Sequence, residues 1–127
     1  MDSTPLLLLV EDEPLIRTAL AAALEDGGYS LVEAENGAAA IETIDGSESL
    51  AGVVTDIRLG AGPDGWAVAT RARELNPTVA IIYVSADSSA DWSAHGVPGS
   101  VMISKPFAAA QIVVALANLA NKSDGPG

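Results

Sequence analysis

The chain has 127 residues, 17 acidic against six basic side chains and a formal net charge of −11. That length suits one core, with roughly 65% of the extended chain's surface removed from water on folding, and the charge repels a phosphate backbone, which excludes a direct nucleic-acid binder. No cysteine is present, so disulfide frameworks and thiolate metal sites are excluded, and no apolar run reaches the ~18 residues of a membrane span.

Residues Leu6 to Val10 are a continuous apolar run, the pattern of a strand covered on both faces. The preceding Met1 to Pro5 lacks the basic flank of a signal peptide, so a soluble, cytoplasmic protein is expected. Asp12 offers an N-cap and Pro14 suits a first helical turn. Ile16, Leu20 and Leu24 then form an apolar helical stripe that Gly27-Gly28 ends. Ser30 to Glu35 reads as a second strand, less hydrophobic and so nearer an edge, and Asn36-Gly37 opens a second helix that stops before Gly46.

Leu50 to Asp56 reads as a third strand, followed by the turn segment Gly60 to Gly65. Asp64 can cap a third helix running to about Leu75, where Asn76-Pro77 breaks it. Val79 to Val84 is a β-branched fourth strand, Ser88 to His95 a helix of modest propensity, and Val101 to Ile103 a short fifth strand. A last helix from Phe107 to about Asn121 carries Ile112, Leu116 and Leu119 inward and Ala110, Val114, Ala117 and Asn121 outward; from Lys122 onward a frayed tail is expected. Alternating strands and helices imply an α/β domain with a parallel sheet between two helical layers.

Ligands of such a sheet bind beyond the carboxyl ends of the strands. There the chain places Glu11 and Asp12 after the first strand, Asp56 after the third, Ser85 after the fourth and Lys105-Pro106 after the fifth. Three clustered carboxylates repel one another unless a cation or a proton compensates, and Mg²⁺ suits hard oxygen ligands while keeping positions open for water or phosphoryl oxygens. An aspartate nucleophile, a lysine and a hydroxyl then point to phosphoryl chemistry. Taken singly, each piece is ordinary: an aspartate at a strand end is a common helix cap, and an acidic first turn is favoured by the helix dipole.

The combination resembles the receiver domain of bacterial two-component response regulators. The residues that carry the resemblance are Leu8 to Glu13, Val53 to Ile57, Asp64-Gly65, Ile81 to Ala86 and Lys105-Pro106-Phe107. It implies a flavodoxin-like, doubly wound (βα)5 fold with strand order 2-1-3-4-5, a receiver over residues 1–122 and a disordered tail over 123–127. By the same resemblance Asp56 is the phosphoacceptor, and Glu11, Asp12, Asp56 and the backbone carbonyl of Arg58 hold Mg²⁺, for which Mn²⁺ can substitute. Ser85 and Lys105 would bind the phosphoryl group, and the Lys105–Pro106 bond is expected to be cis.

The implied donor is a sensor histidine kinase or a histidine phosphotransfer protein. The implied response is a switch of the face made by the fourth helix, fifth strand and fifth helix, with Ser88 to His95 the least stable element. A monomer, or a weak dimer through the last-helix face, is expected, without membrane or nucleic-acid contact and with no DNA-binding output domain in this chain.

Met102 stands where the family carries an aromatic gate, and methionine readily fills an irregular gap. Arg58 and Asp87 occupy positions that line the water's approach to the phosphoryl group. His95 is placed for a helix C-terminal dipole contact, and Trp66 and Trp92 for packing near the rim. A haloacid-dehalogenase-type phosphatase shares the aspartate, Mg²⁺, hydroxyl and lysine, but it needs a second aspartate where this chain has Arg58, and a cap domain. A phosphate-independent interaction module is the third reading.

Overall fold

A computed structural model describes residues 4–46, 49–86 and 91–123, with the side chains of 121–123 left aside. In chain order the elements are β1 (Leu6–Val10), α1 (Pro14–Asp26), β2 (Ser30–Ala34), α2 (Gly37–Gly46) and β3 (Gly52–Asp56). They continue with α3 (Gly65–Leu75), β4 (Ala80–Ser85), α4 (Trp92–His95), β5 (Val101–Ser104) and α5 (Ala109–Ser123). The five strands form one parallel sheet in the order β2-β1-β3-β4-β5, as expected, so the chain reverses direction across the sheet between β1 and β3. The crevice at that reversal is where the carboxyl ends of β1 and β3 lie together.

Strand alternation divides the core in two. Leu8 and Val10 face Ala40 and Ile44 of α2 and Val68, Ala69 and Ala72 of α3. On the opposite face, Leu7 and Leu9 pack with Leu20 and Leu24 of α1 and Ile112 and Leu116 of α5. All five residues of β3 are buried, whereas β2, as expected for an edge, is mostly half-buried. Among the described residues no helix is long and apolar enough to cross a membrane.

Several boundaries differ from the sequence expectation. Asp12 does not cap α1: the cap position is Glu13, without a side-chain bond, and Pro14 opens the helix. The carboxylate of Asp12 lies instead with those of Glu11 and Asp56, which explains why a good capping residue is not used as one. β2 stops at Ala34, whose carbonyl accepts from the Glu11 amide, and β3 begins at Gly52.

Helix α5 starts at Ala109 rather than at Phe107. Phe107 packs against the α1 and α5 core, and Gln111 Oε1 accepts from the Ala108 amide at 2.7 Å, so the side chain closes the first turn two residues later. At its other end α5 runs through Ser123, past the predicted start of the tail. The fourth helix is seen over Trp92–His95, and the predicted Ser88 to Ala90 lies outside the described residues. Asp64 caps α3 as expected, its carboxylate accepting from the Ala67 amide at 2.9 Å.

Candidate functional site

β1, β3, β4 and β5 deliver their terminal residues to one rim. Carboxylate oxygens of Glu11, Asp12 and Asp56 all lie within 4.8 Å of one another. Glu11 is 1% exposed and Asp56 7%, while Asp12 is open to solvent. Lys105 reaches back from the end of β5, its Nζ 2.8 Å from Asp56 Oδ2 and 3.6 Å from Glu11 Oε1. The Lys105–Pro106 peptide is cis. Ser85 closes β4 as a buried residue, and its carbonyl accepts from the Lys105 amide at 2.8 Å, tying the ends of β4 and β5 together.

Each acid is held differently. Glu11 Oε2 accepts from the Glu13 amide at 3.1 Å, but among the described residues Oε1 is a buried oxygen with no hydrogen bond. Burial raises the Glu11 carboxyl from 4.5 to about 7; the bond from Glu13 and the charge of Lys105 oppose the rise, and Asp56 and Asp12 add to it. For Lys105 burial pulls the ammonium down, yet its hydrogen bond to Asp56 and the charges of Asp56 and Glu11 outweigh burial and raise it. Asp56 Oδ1 receives a long bond from the Arg58 amide at 3.3 Å, and Thr55 Oγ1 donates to the Asp56 carbonyl at 2.8 Å.

That carbonyl also explains Gly65. A Cβ there would stand 2.3 Å from Asp56 O and 2.7 Å from Ile57 Cα, so α3 can start this close to the phosphoacceptor candidate only on a glycine.

The rim thus brings together Glu11, Asp12, Asp56, Ser85 and Lys105, the set picked from the sequence. Asp87, the other half of the predicted access pair, lies outside the described residues. Met102 is half-buried beside Tyr83 in the β4–β5 register and packs on the α2–α3 side of the core, a gap-filling position. Tyr83 is fully buried and its hydroxyl accepts from the Val97 amide at 3.1 Å. Trp66 lies against Tyr83, ring centroids 4.6 Å apart, and against His95 at 5.8 Å, so His95 has an aromatic neighbour in addition to its place in the last turn of α4.

Sequence reasoning passed over Arg17. Its Nη1 donates to the Glu11 carbonyl at 2.8 Å and its Nε lies 3.4 Å from Glu33 Oε1. The available signal was a cation one helical turn into α1, close behind an acid pair.

The sequence profile of the response regulator receiver domain matches residues 7–117. The chain belongs to that family. Its fold is shared with a response regulator receiver protein from Sinorhizobium medicae, 38% identical, with a TM-score of 0.91 over 94% of this chain and 96% of that one. The receiver is also similar to the response regulator receiver protein CpdR of Brucella abortus, 35% identical over 79 residues that cover 62% of this chain and 64% of CpdR. Sensor kinase CckA of the same organism is 30% identical over 125 residues, 93% of this chain but 13% of CckA. The receiver therefore spans less than two thirds of the length of these two curated relatives. Receivers of this family are the phosphoaccepting modules of two-component signalling, and this chain is of that signalling type and not a metabolic enzyme.

Proposed function

We propose that Asp56 accepts a phosphoryl group from a phosphohistidine, carried by a sensor histidine kinase or a histidine phosphotransfer protein. The observation that carries this reading is the short Lys105 to Asp56 contact at 2.8 Å inside a cluster of three carboxylates. A lone pair of the Asp56 carboxylate forms the O–P bond as the N–P bond breaks, and the departing electron pair stays on the imidazole, which takes a proton from solvent. Lys105 then exchanges its carboxylate oxygen for a phosphoryl oxygen, and the Ser85 hydroxyl, at the end of the neighbouring strand, donates to another.

The donor set fits a hard divalent cation. Three clustered carboxylates repel one another, one ammonium cannot neutralise all three, and Glu11 Oε1 is a buried acceptor lacking a hydrogen bond. Glu11, Asp12, Asp56 and the Arg58 carbonyl would hold Mg²⁺, or Mn²⁺ in its place. When bound, the ion supplies charge neutralisation for the phosphoryl oxygens.

The partner's approach is suggested by an apolar groove of about 650 Å³ beside Lys105, lined by Leu15, Ile16, Ala19, Phe107 and Ala109. Leu15 is 81% exposed there, an unusual position for a large apolar side chain next to a polar site.

Incubation with Mg²⁺ and a small phosphodonor tests the reading. It should give a hydroxylamine-labile adduct that Asp56→Asn loses. Absence of any adduct would leave a phosphate-independent interaction module, and rapid multiple-turnover hydrolysis of phosphomonoesters would favour a phosphatase. An adduct formed equally well without divalent cation would remove the metal from the scheme.

A further inference from the structure

The turn between β1 and α1 is pinned at Glu11 from three sides. Its amide donates to Ala34 O on β2 at 3.1 Å, its Oε2 accepts from the Glu13 amide, and its carbonyl accepts from Arg17 Nη1 at 2.8 Å. The third pin is the charge-assisted one and comes from a planar fork that Glu33 of β2 holds at its other edge. The carbonyl it grips belongs to the peptide joining Glu11 to Asp12, so the guanidinium sets the plane from which both carboxylates project.

We propose that Arg17 is a positioning residue for the acid pair, fixing the Glu11–Asp12 peptide so that both carboxylates meet Asp56 around one cation. The proposal deepens the cation reading above and rests on it. Arg17 touches neither the phosphoryl group nor the metal; it acts through the backbone of the ligands, as partners of metal ligands commonly do.

The idea has a distinctive sign. A guanidinium beside an acidic cluster repels an incoming cation, so by Coulomb's law alone its removal would tighten metal binding. Positioning predicts the opposite. Titration of the whole chain with Mg²⁺ alone, by calorimetry at fixed ionic strength, should show Arg17→Gln weakened by about tenfold or more, with Arg17→Lys between it and the wild type. Unchanged or tighter binding in Arg17→Gln would overturn the proposal. Should Arg17→Gln not fold, Arg17→Lys decides alone: it keeps the charge but loses the fork, and wild-type affinity would overturn the idea.

A metal-free measurement separates this from failure of the cation reading. Exchange of the Glu13 amide, which donates to Glu11 Oε2, should quicken by about tenfold in Arg17→Gln, the equivalent of one charge-assisted hydrogen bond. If wild-type protein binds no Mg²⁺ the metal reading falls, and this exchange rate then tests the pinning of the turn: quicker exchange supports it and unchanged exchange overturns it.

Discussion

The two sides of the rim are built to different standards. On the acid side, β1 and β3 are central strands, α1 and α3 run 13 and 11 residues with buried apolar faces, and the turns that carry the acids are pinned by Arg17, Glu13, Thr55 and the close approach of Gly65. On the other side, β4 is followed by a four-residue helix with no buried residue, and β5 is a four-residue edge strand. One βα plan thus yields a fixed half that holds charge in place and a half with little burial to resist displacement. That asymmetry is what a phosphoryl switch needs: acids that stay still, and a hydroxyl and a lysine whose loops can follow the new oxygens.

Gly65→Ala tests the fixed half most severely. The methyl group would meet the Asp56 carbonyl and the Ile57 Cα well inside contact distance, and backbone on both sides offers no flexible end to give way. A loss of about 3 kcal/mol is expected in denaturant unfolding, as for overpacked cores. A loss under about 1 kcal/mol would mean that α3 can slide away from β3, and the contrast between the halves would fail.

A pH titration of stability comes next. The Glu11 carboxyl is raised in the folded chain from 4.5 to about 7, so between those values the native state holds more proton than the unfolded chain does. The stability linked to that proton is present below pH 4.5, declines as pH rises, and is gone above about 7; at 1.36 kcal/mol per pH unit it amounts to roughly 3 kcal/mol at most. Glu11→Gln should flatten the slope. Mg²⁺, offering the same oxygen a cation, should do so as well and restore stability at pH 7 and above. A slope that survives Glu11→Gln would place its source elsewhere.

The contrast was partly legible beforehand. Runs such as Leu6 to Val10 are long enough and apolar enough to be strands in no other register, and once the sheet is parallel its topology alone gathers Glu11, Asp12, Asp56, Ser85 and Lys105. Asp64 as a cap was readable because its bond is local. The misreadings all depend on partners distant in sequence. Asp12 looked like a cap because nothing near it in the chain says that Asp56 will be its neighbour. The elevated proton affinity of Glu11 requires knowing that β2 and β5 cover it. Arg17 carried no signal of its own until the Glu11 carbonyl and Glu33 came within reach.

On the movable half smaller effects are expected. Ser100 Oγ accepts from Trp92 Nε1 at 2.9 Å and donates to Val97 O, so it is the polar link between α4 and the turn before β5. Ser100→Ala should cost about 1 kcal/mol and leave the amides of α1 and α3 as protected as before, while those of α4, already the fastest, exchange faster still. Equal protection of α4 with α1 and α3 in the wild type would remove the distinction between the halves.

Met102→Tyr should have the smallest effect on stability and the most direct bearing on how the switch travels. The side chain is half-buried opposite Tyr83, on the core face that Tyr83 and Trp66 already fill, and Trp66 in turn touches His95. An added ring therefore extends outward and changes stability by less than about 1.5 kcal/mol, as volume-tolerant swaps do. If methionine is only filler, binding of a partner to the phosphorylated and unphosphorylated forms should keep the same ratio in the variant. A changed ratio would show that position 102 still conveys the state of Asp56, and that the movable half is steered through β5 as well as through the loop after β4.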